Sequence, residues 1–229
     1  MVTTTARRPD AGLLTMAVVL AAAFFLGPLA LGPDRLDDFP RLFLAYWSAG
    51  GPDFPPDLQH AVDHQFRYHL VRVLIAVPLL AVLVTLAHRR RRLRLPVGAL
   101  ALAAAVLLIA NVQGAVSPFG TLLPHLASST GDTRLAVLAQ VRDQLDHGPV
   151  SPALEVMLDE YVRWHVVKAV LVGLLAAALA GLAVRSWRPR RWLSLLLALL
   201  AVAALVVVAA NVTTVVNPGP PFLLLLQGG

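Results

Sequence analysis

The chain has 229 residues, of which 58% are apolar or aromatic and only 14% are charged. Soluble domains run nearer to roughly 45–50% apolar and about 25% charged, so a mean hydropathy of +0.72 excludes both a soluble enzyme and a disordered chain. There is no cysteine, which removes disulfides, thiolate nucleophiles and Cys-ligated metal from consideration.

A helix needs about 20 mostly apolar residues to cross a hydrocarbon layer of roughly 30 Å. Five stretches meet that length: Gly12–Gly32, His69–His88, Pro96–Val116, His165–Val184 and Trp192–Val212. The first follows Arg7-Arg8 in the manner of a secretory signal, but its small-residue end, Ala30-Leu31-Gly32, runs into Pro33, a poor residue after a scissile bond. It reads as an uncleaved span. The fold class expected is therefore an all-α polytopic membrane bundle of five transmembrane helices, one membrane domain over residues 1–229.

Charge sets the expected orientation. Arg7, Arg8, Arg89 to Arg92, Arg94, Arg185, Arg188, Arg190 and Arg191 occupy a short tail and two tight turns, with Asp10 as their only acid, a balance of +10. The two longer connecting segments hold the other eight cations and twelve carboxylates, a balance of −4 that completes the net +6. Cytoplasmic turns collect Arg and Lys near span ends. The N-terminus is expected inside and the C-terminus outside the cell membrane, and the pI of 10.9 reports topology, not nucleic-acid binding. An Arg run can also hold anionic lipid headgroups.

Laid over itself at a shift of 96, the chain repeats. Pro56, Leu58, Asp63, Arg67, Tyr68, His69, Val71 and Arg72 fall on Pro152, Leu154, Asp159, Arg163, Trp164, His165, Val167 and Lys168. With four more residues inserted, Ala110-Asn111-Val112 and Pro118 meet Ala210-Asn211-Val212 and Pro218. Residues 56–116 and 152–212 thus read as a parallel internal repeat, each a long helix followed by a returning span. Each long helix opens on a proline, which needs no N–H there, and runs to the next Arg turn, about 50 Å at 1.5 Å per residue. About three turns should project beyond the lipid on the outer side. Pro78 should kink the first of them. Two amphipathic pieces ending at glycine, Pro40–Ser48 and 132–148, are expected to lie on the outer membrane surface as interfacial helices.

The repeated polar residues suggest a belt at the outer mouth. Asp63 and Arg67, like Asp159 and Arg163, stand four apart with the acid first, the favourable order for ion pairs. His69, Arg72 and Asn111 in one half match His165, Lys168 and Asn211 in the other. Two readings stand. In one, these are span-end cations, interfacial histidines and interhelical amides with structural roles; the mid-bilayer stretches carry almost no polar group, which argues against a channel, proton pump or transporter. In the other, the belt lines an outward pocket where His69 and His165 ligate haem or metal or act as acid and base, and Arg67, Arg72, Arg163 and Lys168 attract an anion. His60 and His64 have cation-holding spacing beside Asp57 and Asp63, but Val156 and Glu160 replace them in the second half. Ser117 and Ser128 lack a base, and no zinc-protease, phosphate-loop, dinucleotide or nucleophile-elbow motif occurs.

The segments Asp37-Asp38-Phe39-Pro40, Tyr46-Trp47, Gly51-Pro52-x-Phe54-Pro55, Arg67-Tyr68-His69 and the Ala-Asn-Val…Pro endings resemble uncharacterised actinobacterial multi-pass membrane proteins, some labelled as Tat-signal proteins. That resemblance implies no activity. Trp164-His165-Val166-Val167-Lys168 is weakly similar to the span entrance of anthrone-oxygenase-like membrane proteins, without their Asn and with another His-to-cation spacing. The function expected is a non-catalytic envelope, assembly or lipid-associated component that binds no metal or cofactor, its partners being the bilayer and an anionic lipid or another membrane protein. The alternative is a small membrane oxygenase or oxidoreductase, haem- or quinone-linked, built on His69 and His165.

Overall fold

A computed structural model describes residues 8–32, 36–126, 132–188 and 190–227; Arg7, Pro33 and Ser128 lie outside them. Among the described residues the regular structure is wholly helical. The α-helices are α1 (Arg8–Leu26), α2 (Phe39–Ala49), α3 (Pro56–Arg89), α4 (Arg94–Val116), α5 (Pro118–Leu122), α6 (Asp132–His147), α7 (Pro152–Ser186), α8 (Arg191–Val216) and α9 (Gly219–Gln227). Five segments are long and apolar enough to cross a bilayer: Ala11–Leu31, in which a 3₁₀ turn extends α1, and α3, α4, α7 and α8. This is an α-helical membrane protein.

The long helices have 34 and 35 residues, or about 50 Å each. Local chemistry starts α7: the Ser151 hydroxyl accepts from the Leu154 N–H at 3.4 Å, and Pro152 follows at the first helical position. α3 continues through Pro78 as a single helix. Of the positions paired by the 96-residue shift, Leu58 and Leu154, Ala61 and Met157, and Gln65 and Tyr161 are buried in both members, whereas Leu86 is buried and Leu182 exposed. In the returning helices Ala101, Ala104 and Asn111 are buried, as are Ala201, Ala204 and Asn211.

The chain divides into two compact units. One comprises α1, α3 from Arg67 onward and α4 to Ala115. Its core is Ala17 on α1, Leu79, Val82, Leu83 and Leu86 on α3, and Val97, Ala101 and Ala104 on α4. Those spacings draw one stripe along each helix, and the alanines let backbones approach where no hydrophobic effect drives helices together. The outward residues, among them Leu74, Val77, Val84, Leu100 and Val106, are exposed apolar side chains suited to lipid.

The other unit comprises α2, the first turns of α3 and everything from Val116 on. Along α7 it has two regions. The C-terminal half of α7 pairs with α8 through small residues, Ala176 and Ala183 with Ala201 and Ala204 all buried, and the Ser194 hydroxyl donates to the Ala183 carbonyl at 2.6 Å. The first turns of α7 join an aromatic core with α2, α5, α6, α9 and the start of α3.

Phe119 is the centre of that core. Its ring lies 6.3 Å from Phe39, 6.0 Å from Tyr46 and 4.6 Å from Phe54, and it is 1% exposed. Polar atoms are paired around it. Trp47 Nε1 donates to Gln140 Oε1 at 2.7 Å, the Ser151 N–H donates to Gln144 Oε1 at 2.8 Å, and the Tyr46 hydroxyl donates to the Ala153 carbonyl at 3.3 Å. Tyr46 is 0% and Trp47 8% exposed. The apolar face of α2 is thus packed on protein. Its glycine stop is as expected: Gly50 has φ +65°, the left-handed cap that glycine adopts without a Cβ penalty.

Burial, with the Asp53 carboxylate in addition, pushes the Tyr46 phenol up to about 12. A raised pKa favours the protonated form in the folded state, so this stabilisation is complete below pH 10 and lost as pH rises through about 12. Alkaline unfolding in detergent should therefore cost the wild type about 2 kcal/mol across that window, and Tyr46→Phe should flatten the loss. An identical alkaline slope in both proteins would contradict this placement of Tyr46.

Candidate functional site

The polar belt divides between the two units. In the first, His69 on α3 meets Asn111 on α4, with His69 Nδ1 and Asn111 Oδ1 3.1 Å apart. The Asn111 amide nitrogen donates to the Leu107 carbonyl at 2.7 Å, which leaves Oδ1 as the acceptor and puts the imidazole proton on Nδ1. Nε2 is then a lone pair, buried and without a hydrogen-bond partner. What faces it is Gly114, one turn beyond Asn111. A Cβ on that glycine would overlap Cδ2 of the ring and stand 2.5 Å from Nε2. The imidazole thus packs against a window of bare backbone, with Nδ1 on Asn111 and Nε2 buried without a partner.

The second unit has the same residue types but a different arrangement. His165 Nδ1 donates to the Tyr161 carbonyl one turn back on its own helix at 2.8 Å. Asn211 again donates to the carbonyl four residues before it, Val207, at 2.7 Å, but its Oδ1 is buried with no partner. Thr214 stands a hundred residues after Gly114. Its hydroxyl donates to the Ala210 carbonyl at 3.1 Å. Tyr161 and Trp164 flank His165 edge to face, with ring centres 4.3 Å and 4.9 Å away, and Phe222 lies 5.2 Å from Tyr161.

The deeper cations rest on aromatic faces. The Arg72 guanidinium lies 4.4 Å from the Tyr68 ring centre and 4.9 Å from that of Phe24 on α1. Lys168 Nζ lies 4.9 Å from the ring centre of Trp164. In both halves the cation sits four residues after its aromatic partner, so the repeated [YW]-H-x-V-[RK] stretch encodes a cation–π contact along one helix face. Arg72 Nε is buried and makes no hydrogen bond; the two rings are its surroundings.

The carboxylates differ from the expected pairing. Arg163 Nη1 meets Glu160 Oε1 at 2.7 Å, three residues before it, and not Asp159. Glu160 has a second role, since its Oε2 and its backbone carbonyl lie 2.8 and 2.9 Å from the Ser117 hydroxyl. Ser117 is 0% exposed and braces α5 against α7. A Cβ on Gly120 would overlap Ser117 Oγ and crowd the Glu160 carbonyl at 2.9 Å, so this brace also needs a glycine. Asp63 accepts from Gln59 at 2.8 Å, and Arg67 is exposed. His60 is exposed and His64 half-buried; among the described residues no three His, Asp or Glu side chains converge as metal ligands.

Neither Gly114 nor Glu160 belonged to the belt drawn from sequence. Gly114 carried a signal, because an isolated glycine inside an apolar helix costs about 1 kcal/mol against alanine and needs a packing reason. Glu160 carried none, as its partner Ser117 is 43 residues away. Fold and composition define the class as a polytopic helical membrane protein. No family model, curated protein or solved structure matches the chain.

Gly114→Ala should displace His69 and lower stability by about 1–3 kcal/mol, read as a fall in melting temperature in detergent, although alanine is the better helix former. Thr214→Ala should stay within about 0.5 kcal/mol. A neutral or stabilising Gly114→Ala would contradict the close contact.

Proposed function

We propose that the protein is a non-catalytic, multi-pass component of the cell membrane that presents its aromatic helical core on the extracytoplasmic side, as a platform for envelope assembly or lipid association. One observation carries this reading: the belt's reactive groups are spent on the protein's own structure. His69 is bonded to Asn111 and packed against Gly114, Arg72 and Lys168 lie over aromatic rings, and the buried hydroxyl of Ser117 is held by Glu160.

An oxygenase or haem-linked oxidoreductase needs an imidazole with an open Nε2 as axial ligand or proton carrier. The Nε2 edge of His69 lies against Gly114, so the residue as placed does not fit that role. The residues also favour descent from a duplicated unit. Shared burial at Leu58 and Leu154, and like cation–π contacts at Arg72 and Lys168, are what two copies of one membrane rod would retain. In this account the second copy exchanged the His–Asn contact for a different packing when Thr214 stood in place of glycine.

Orientation and activity are tested together. With cysteine placed singly at Asp57 and Arg91 of this Cys-free chain, an impermeant thiol reagent on intact cells should label position 57 alone. Purification in mild detergent should yield a protein without a Soret band or stoichiometric iron. Labelling at 91, or a haem spectrum lost in His69→Ala, would overturn the proposal.

A further inference from the structure

The α7–α8 end that carries the arginines forms a groove of about 490 Å³, lined by Ala183, Val184, Arg185, Trp187, Arg188, Ser194 and Ala198. The geometry points to this groove as a binding site for one anionic phospholipid, with its phosphate on Arg185 and Arg188 and its glycerol and first methylenes on the small apolar floor.

Shape comes first. Ala183 and Ala198 are short side chains where α7 meets α8, and the one polar group in the floor is already satisfied, Ser194 donating to the Ala183 carbonyl at 2.6 Å. The floor therefore offers apolar surface without an unpaired donor or acceptor, which suits hydrocarbon better than water. The rim is the opposite. Arg185 and Arg188 are three residues apart and both exposed, and among the described residues neither has an ion-pair or hydrogen-bond partner. The turn from Arg185 to Leu195 contains no carboxylate, so an anion would meet two guanidinium groups, which bind phosphate in forked geometry, with no competing acid.

Two further features agree. Trp187 is 52% exposed at the rim, where an indole marks the headgroup level. α8 begins at Arg191, and its N-cap residue Arg190 makes no side-chain cap bond, so the positive end of a 26-residue helix adds to the field at that turn. Neither would define a site alone. Together with the groove and its unpaired guanidiniums they select a lipid that carries negative charge and acyl chains over a neutral lipid.

Quenching of tryptophan fluorescence by brominated lipids, with the full-length protein in neutral detergent, tests this. Brominated phosphatidylglycerol should quench at far lower mole fraction than brominated phosphatidylcholine, and inorganic phosphate should not displace it. Arg185→Gln with Arg188→Gln should weaken phosphatidylglycerol about 30-fold, the effect expected of two cations at a membrane surface, whereas the double Lys replacement should retain most of the preference. Ala198→Phe fills the floor and keeps every charge; it should also abolish saturable quenching. Equal affinity for both lipids, displacement by phosphate, or an Ala198→Phe protein that binds as well as wild type would overturn the site.

Discussion

The burial of Phe119 is the constraint from which the rest of the aromatic core follows. Its helix, α5, is a single short turn of five residues, too brief to be stable by itself. It holds its place because Phe119 enters a cluster of Phe39, Tyr46 and Phe54 and because Ser117 and Gly120 bring its backbone against α7. Once those rings are assembled, α2 must turn its aromatic face inward, and Gln140 and Gln144 become the partners for Trp47 and for the Ser151 amide. The polar bonds are few and specific, each satisfying a group that the rings have removed from water.

Beyond that core the long helices obey a different solvent. Lipid gives apolar helices no reason to hide leucine, so the buried stripes of α4 and α8 are chosen for size: Ala101 and Ala104, Ala201 and Ala204. Larger residues on other faces remain exposed. The few polar side chains in this zone are placed where one helix backbone comes close to another side chain, as Gly114 does to His69, or where an aromatic ring can accept a cation. Polar residues in such a setting need partners, and His69, Arg72 and Lys168 find them within the chain.

Much of this was legible in the sequence for physical reasons. Span length and hydropathy belong to local composition, so five membrane-crossing helices could be read directly, as could the proline starts and the glycine stop after α2. What escaped the sequence was long-range and steric. The aromatic face of α2 is apolar whether it meets headgroups or protein, and periodicity does not distinguish them. Glu160 displaced Asp159 as the partner of Arg163 because a second bond, to Ser117, fixes its carboxylate. The close approach of Gly114 to His69 is a feature invisible until the helices are packed.

The central claim is that α2, α5, the start of α7 and α9 form one cooperative core. Hydrogen–deuterium exchange read by mass spectrometry, on the protein in lipid nanodiscs, addresses it most directly. Peptides covering residues 39–49, 118–126, 153–161 and 222–226 should exchange slowly and should lose protection together when Phe119 is replaced by alanine, a change that costs about 3–5 kcal/mol in a packed core. Rapid exchange of residues 39–49 in the wild type, or loss confined to 118–126 in the variant, would show that these helices are separate surface pieces and would contradict the account.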